Sequence, residues 1–142
     1  MRLHEVRQVQ RPSGEVFAYT ADFSHSAEWD PGVISSRRVG DGPVGEGTQF
    51  ELEVEFGSGA TPMIYEITKY EPDSRVVLVG RGKKVDAVDE IRFEGREGAT
   101  VIYYTAELTF HNYLKYLGPL VAPLVRRVGT RAMDGLAEVL SR

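Results

Sequence analysis

The stretch that decides the fold is TQFELEVEF, residues 48–56, in which apolar and polar side chains alternate without a break. Successive side chains of a β-strand point to opposite faces, so one face carries Phe50, Leu52, Val54 and Phe56. The other face carries Gln49 and an acidic row, Glu51, Glu53 and Glu55. One dry and one wet face are typical of an antiparallel sheet, and the acidic row favours solubility and discourages edge pairing.

Similar strand patterns lie on both sides of this stretch. Turn segments such as DGPVGEG (41–47) and REG (96–98) separate them. We predict about seven strands, near residues 2–10, 33–40, 48–56, 61–72, 76–82, 83–95 and 99–110, and the last six follow one another as hairpins.

Two short helices are predicted between the first two strands. Residues 13–22 favour a helix with Ser13 as its cap and Glu15 in its first turn, and residues 23–28 favour a second one. The turn at 30–32, Asp-Pro-Gly, ends it directly after Trp29, the only Trp in the chain. Because a large aromatic side chain is costly to leave in water, Trp29 is expected to cover apolar surface.

The C-terminal segment has helical periodicity from residue 119 to 140, after a break at Gly118 and with Pro119 in the first turn. Such a helix is roughly 33 Å long at about 1.5 Å per residue. Its predicted apolar stripe consists of Leu117, Val121, Leu124, Val125, Val128, Ala132, Leu136 and Leu140.

These elements predict an α+β fold, a curved antiparallel sheet of about seven strands wrapped around one long C-terminal helix. The helix is the only large element that can cover the apolar face of the sheet. A long curved sheet is wider than a helix, so a space remains between them, either filled by side chains or open to a ligand. Since no linker or repeat occurs, we expect a single domain over residues 1–142.

Composition excludes several classes of function. The net charge of −4 gives no positive field for nucleic acid or an anionic membrane, and the longest apolar stretch, residues 117–125, is too short to span a bilayer. The chain has no Cys, and no two of its His residues, at 4, 25 and 111, share a metal-ligand spacing. Neither a metal nor a cofactor is expected. The N-terminal segment lacks an apolar signal core, which favours a cytoplasmic location.

Four segments and the C-terminal helix together resemble the START-like superfamily of helix-grip proteins, also called SRPBCC, and within it the bacterial polyketide cyclase/dehydrase-type branch. The segments are RPSGEVFAYTADFSHSAEWDPGV (11–33), VGEGTQFEL (44–52), YEITKYEPDSRVVLVG (65–80) and GATVIYYTAELTF (98–110). The resemblance covers nearly the whole chain and implies a ligand cavity between sheet and helix. It places Trp29, with Phe23 and Pro31 beside it, at the cavity mouth. Trp29 as ordinary core is the alternative, and both can hold.

Three polar side chains fall on apolar strand faces. Tyr65, Tyr104 and Asp89 share faces with aliphatic or aromatic residues, and a carboxyl there has a raised pKa or pairs with Arg or Tyr. Asp89 is the candidate base for an aldol-type cyclisation, positioned with the two tyrosines, but a β-bulge or one-residue slip would turn it outward. His25 is a candidate for the mouth or the surface, and Arg81 is expected on the surface.

The expected ligand contacts are residues that face the helix or belong to it. They are Trp29, Phe50, Leu52, Val54, Tyr65, Ile67, Ile91, Tyr104, Leu108, Val121, Val125 and Val128.

Three functions remain open at this point. The first is binding of a small hydrophobic or aromatic ligand, lipid or polyketide-like, and the second is an aromatase/cyclase or dehydratase using the same cavity. The third is a protein-interaction module with a collapsed cavity. A homodimer is a further hypothesis.

Overall fold

A computed structural model describes the backbone of residues 1–142 and the side chains of all except 113, 114 and 117–119. Seven antiparallel strands form one curved sheet in the order β1-β7-β6-β5-β4-β3-β2. The strands are β1 (Arg2–Val9), β2 (Val33–Val39), β3 (Gln49–Phe56), β4 (Gly59–Glu71), β5 (Arg75–Gly82), β6 (Val85–Arg96) and β7 (Ala99–Phe110).

Three α-helices accompany the sheet: α1 (Ser13–Ala21), α2 (Ser26–Trp29) and α3 (Gly118–Val139). A 3₁₀ turn at Phe23–His25 precedes α2, and another at Asn112–Leu117 precedes α3. The predicted α+β fold, with two short helices between the first two strands, is confirmed. The predicted cap is wrong, because α1 begins at Ser13 itself, after Pro12, and no side chain caps it.

The strand order leaves β1 and β2 at opposite edges of the sheet although they follow each other in the chain. The segment with α1 and α2 therefore has to cross from one edge to the other. Every later strand pairs with its predecessor in sequence, as expected for hairpins. Register irregularities occur in β2, between Val33 and Ser35, and in β4, between Ile67 and Lys69. Such bulges bend the strands that contain them.

Helix α3 packs on the sheet mainly through its second half. Ala132, Leu136 and Leu140 are buried, as the predicted stripe requires. Leu124 and Val128 were predicted on the same stripe but are 63 % and 50 % exposed. The prediction is wrong at these two positions, because helical periodicity does not determine how far along the stripe the helix is covered. The side chain of Leu117 lies outside the described residues.

The core is filled at one end of the sheet and open at the other. At the filled end, Phe17 of α1 packs edge-on against Tyr70 and Phe93, with ring centroids 5.1 and 5.2 Å away. At the other end, Phe23 contacts Trp29 and Tyr65, with centroids 6.1 and 5.4 Å away. Beyond this second cluster, space remains between sheet and α3.

Candidate functional site

A cavity of about 210 Å³ lies between the concave face of the sheet and α3. Most of the side chains around it are apolar, since alternate residues of β3, β4, β6 and β7 point towards the helix. The strand residues include Leu52, Val54, Met63, Val85, Ala87, Ala106, Leu108 and Phe110, and α3 adds Val125, Val128, Gly129 and Ala132. Because Val128 is half exposed, the cavity reaches solvent beside α3.

Trp29 forms part of the wall where α2 ends. Its side chain is 5 % exposed and lies edge-on to Phe23, so it is core and cavity wall at once. The indole nitrogen is buried and has no hydrogen-bond partner among the described residues. The backbone of Trp29 contacts α3 closely, because a Cβ built on Gly135 would lie 1.9 Å from the Trp29 carbonyl oxygen.

Three polar side chains, on β4, β6 and β7, lie inside this apolar wall. Asp89 of β6 is 5 % exposed and points into the cavity, and the Tyr104 hydroxyl of β7 donates to its Oδ2 over 3.0 Å. The ring of Tyr65 on β4 lies nearby, and its hydroxyl has no hydrogen-bond partner among the described residues. The register of β6 thus turns Asp89 inward, the orientation that the sequence left open.

Burial is the largest influence on the pKa of Asp89. It raises the pKa of Asp89 to about 7, the Tyr104 hydrogen bond acts in the opposite direction, and the charge of Asp30 adds to the rise. Burial also raises the pKa of both phenols, to which the negative charge of Asp89 contributes. At neutral pH the cavity therefore holds a carboxyl close to its midpoint of titration.

A second carboxyl, Asp30, lies in the turn after α2 and lines the same cavity. Its Oδ1 accepts the Gly32 N–H over 2.8 Å, the Asx-turn contact that fixes the loop. Burial raises the pKa of Asp30 to about 6, against that hydrogen bond and with a contribution from the charge of Glu55. Sequence patterns assigned Asp30 only to a turn, because its burial depends on how the turn docks against α3.

Of the twelve residues expected to contact a ligand, eight line the cavity: Trp29, Leu52, Val54, Tyr65, Tyr104, Leu108, Val125 and Val128. Phe50, Ile67 and Ile91 point to the same side but are completely buried in the core, and Val121 is half-buried outside the lining. Asp30, Glu55, Phe56 and Phe110 were not among the expected contacts and belong to the wall. Phe56 and Phe110 continue the apolar alternation of β3 and β7, so the sequence pattern could have predicted them as wall residues.

The other two candidate polar residues do not reach the cavity. His25 stacks on the ring of Tyr19 with centroids 4.6 Å apart, and its Nδ1 lies 3.0 Å from the Tyr19 carbonyl oxygen. Arg81 is exposed, as expected. Among the residues with described side chains, no three His, Asp or Glu are grouped so that they could hold a metal ion. Within the same residues, no helix has the length and apolar character needed to cross a membrane.

A curved antiparallel sheet closed over an apolar cavity by a long C-terminal helix defines the helix-grip class of protein. The sequence matches the family described as "Polyketide cyclase / dehydrase and lipid transport" over residues 1–141, and the chain belongs to that family. A comparison with curated proteins gave no match.

Solved structures share the fold at low sequence identity. The Zhui aromatase/cyclase from a Streptomyces species is similar with a TM-score of 0.81 and 12 % identity, covering 99 % of this chain and 93 % of that one. A Thermus thermophilus protein gives 0.77 and 16 %, with 99 % and 97 % coverage. A START superfamily protein from Mycobacterium smegmatis gives 0.72 and 14 %, with 98 % and 93 % coverage. Identities this low establish the common fold and leave activity open.

Proposed function

We propose that this protein binds a small, largely apolar ligand in the cavity between the sheet and α3. The observation that carries the proposal is the unfilled, mostly apolar space at one end of an otherwise packed core. Protein interiors are close-packed, so a void of this kind in a native core indicates a binding role. Its volume limits the ligand: an apolar cavity of about 150 Å³ holds benzene, so about 210 Å³ suits roughly two fused rings.

The single Trp provides the test. Trp29 lines the cavity, and as the only Trp it should give a single indole N–H signal in a proton–nitrogen NMR spectrum, separate from the backbone amides. Titration with the neutral probe 1-naphthalenemethanol should shift that signal and saturate. A lack of any shift, with no binding by calorimetry, would overturn the proposal.

A cavity-filling variant localises the binding. Ala106 is buried on β7 and lines the cavity, so Ala106→Leu should occupy part of the space and abolish the shift. Ala60→Leu makes the same change at an exposed position on β4 and should bind like the parent protein. Equal binding by both folded variants would place the probe elsewhere.

A second function is favoured by one further observation, the Asp89–Tyr104 pair. A carboxyl that titrates near neutral pH inside an apolar cavity suits proton abstraction next to a ketone, the step of a cyclase or dehydratase. Asp89→Asn would then abolish turnover of a poly-ketone substrate without abolishing its binding. Unchanged turnover would remove Asp89 from that role. The interaction-module hypothesis needs a filled cavity, which this geometry does not favour.

A further inference from the structure

The side chains described around the cavity include carboxyl groups but no basic group. Two carboxyl side chains, those of Asp30 and Asp89, contribute to the wall, whereas no Lys, Arg or His is part of the described lining. Lys84 is outside the lining, and its ammonium lies 5.2 Å from the centroid of the wall residue Phe56. An anionic ligand group in this cavity would therefore lie beside carboxyls, with no cation in the described lining to pair with it.

The carboxyl groups of the wall also have few hydrogen-bond partners. Asp89 receives one hydrogen bond, from Tyr104 to Oδ2, and Asp30 receives one, from the Gly32 N–H to Oδ1. A carboxylate can accept several hydrogen bonds, so each acid retains an unused acceptor oxygen. The hydroxyl of Ser26 donates to the Phe23 carbonyl. The Tyr65 side chain is 8 % exposed and its hydroxyl has no partner among the described residues, so it can accept or donate. The Trp29 indole N–H is a further unpaired donor in the wall, available to a neutral polar atom of the same ligand.

We propose that the cavity selects a hydrophobic, preferably aromatic, ligand bearing a protonated amine, with the ammonium donating to Asp89 and the ring lying against Trp29 and the aliphatic wall. The proposal rests on the proposed binding function and names its ligand class. An ammonium supplies donors for the unused carboxylate oxygens, and the pairing compensates for removing both charges from water.

Electrostatics supports this selectivity at neutral and higher pH. The groups that face Asp89 are Tyr104 of β7, Tyr65 of β4 and Asp30 after α2, and all are neutral or acidic. The charge of Glu55 acts on Asp30. A bound cation should lower the pKa of Asp89, and by linkage the affinity for the cation should rise as Asp89 loses its proton. A carboxylate ligand would need Asp89 neutral.

Three probes with the same ring system test the proposal: 1-naphthylmethylamine, 1-naphthalenemethanol and 1-naphthoic acid. At about pH 8 the amine is expected to bind about tenfold or more tightly than the acid, with the alcohol between them. At about pH 5, where Asp89 is protonated, the advantage of the amine over the alcohol should shrink. Dissociation constants come from calorimetry, and the Trp29 indole signal reports occupancy of the cavity.

Variants separate this charge effect from ordinary binding. Asp89→Asn should remove most of the advantage of the amine over the alcohol. Glu53→Gln makes the same charge change on the exposed face of β3 and should leave all three affinities unaltered. If the alcohol binds but the acid equals or exceeds the amine, the inference is wrong and Lys84 becomes the anchor to test. If no probe binds, the proposed function itself fails.

Discussion

The hydroxyl of Tyr104 donates to Oδ2 of Asp89 over 3.0 Å, from one strand to its neighbour on the cavity face. The two residues are diagonal neighbours, because Asp89 pairs with Ala106 and Tyr104 pairs with Ile91. Diagonal pairs of long side chains lie within reach of each other in antiparallel sheets. The hydrogen bond favours the ionised carboxyl, and burial favours the neutral one by more.

Removing the Tyr104 hydroxyl should raise the pKa of Asp89 above its value of about 7. Tyr104→Phe keeps the ring and deletes the donor, so the ionised carboxylate loses its one described hydrogen bond. Carbon-13 NMR titration of the Asp89 carboxyl measures the change. Tyr103→Phe is the matched control, since Tyr103 bonds Glu94 on the other face. An identical Asp89 midpoint in Tyr104→Phe and the parent protein would contradict the prediction.

Asp89 should make stability depend on pH. Its pKa is raised from 3.8 to about 7 on folding, so between those values the folded state binds more protons than the unfolded state. The free energy of unfolding should fall as pH rises through this window and level off above it. The contribution is at most about 4 kcal/mol for a shift of this size.

Asp89→Asn should flatten this dependence, most clearly near pH 7, where Asp30, with a pKa of about 6, is largely ionised. Urea unfolding at a series of pH values measures it, and Glu53→Gln serves as the control for charge alone. Parallel curves for the parent and Asp89→Asn would show that ionisation of Asp89 does not contribute to the pH dependence.

Gly80 should be intolerant of a side chain. It pairs with Tyr65 across β5 and β4, and a Cβ there would lie 2.6 Å from two carbons of the Tyr65 ring. Gly80→Ala is expected to cost about 1–3 kcal/mol through overpacking and to displace the ring from the cavity wall. Chemical denaturation measures the loss. Gly45→Ala meets no atom within 4 Å and should be close to neutral; equal stability of both variants would refute the clash.

Gly135→Ala should destabilise the protein although Ala favours helices. The gain from helix propensity is about 1 kcal/mol, but the new Cβ would meet the Trp29 carbonyl oxygen, and backbone cannot rotate away. We expect a net loss of about 3 kcal/mol or a separation of α2 from α3. Gly129→Ala meets only the tip of Leu3, at 3.1 Å, and should lose much less. Thermal unfolding compares the two, and a more stable Gly135→Ala would contradict this packing.

The sheet was predictable because its signal is local. Alternation along β3, β6 and β7 fixes which residues face the core, and Gly-rich turns fix where the strands end. Even the inward orientation of Asp89 follows from unbroken alternation between Val85 and Phe93. What the residues alone did not supply was the absence of a bulge in β6, which depends on pairing with both neighbouring strands.

The cavity depended on contacts between distant segments. The exposure of Leu124 and the burial of Asp30 are set by where α3 lies over the sheet, and periodicity within one helix or turn does not contain that position. For the same reason, Phe50 and Ile67 were indistinguishable from wall residues such as Leu52 in sequence. The family resemblance predicted a cavity between sheet and helix, but its volume and its acidic lining depend on the three-dimensional packing of distant segments.

The placement of β1 and β2 at opposite sheet edges also shapes how the chain reaches its native state. β1 pairs only with β7, so Arg2 meets Glu107 and Val9 meets Thr100, roughly one hundred residues apart. During synthesis on the ribosome β1 emerges before its partner and stays unpaired until β7 has been made. The hairpins from β2 to β7 can form by local closure, whereas docking of β1 closes the longest loop and is expected to be a late, slow event.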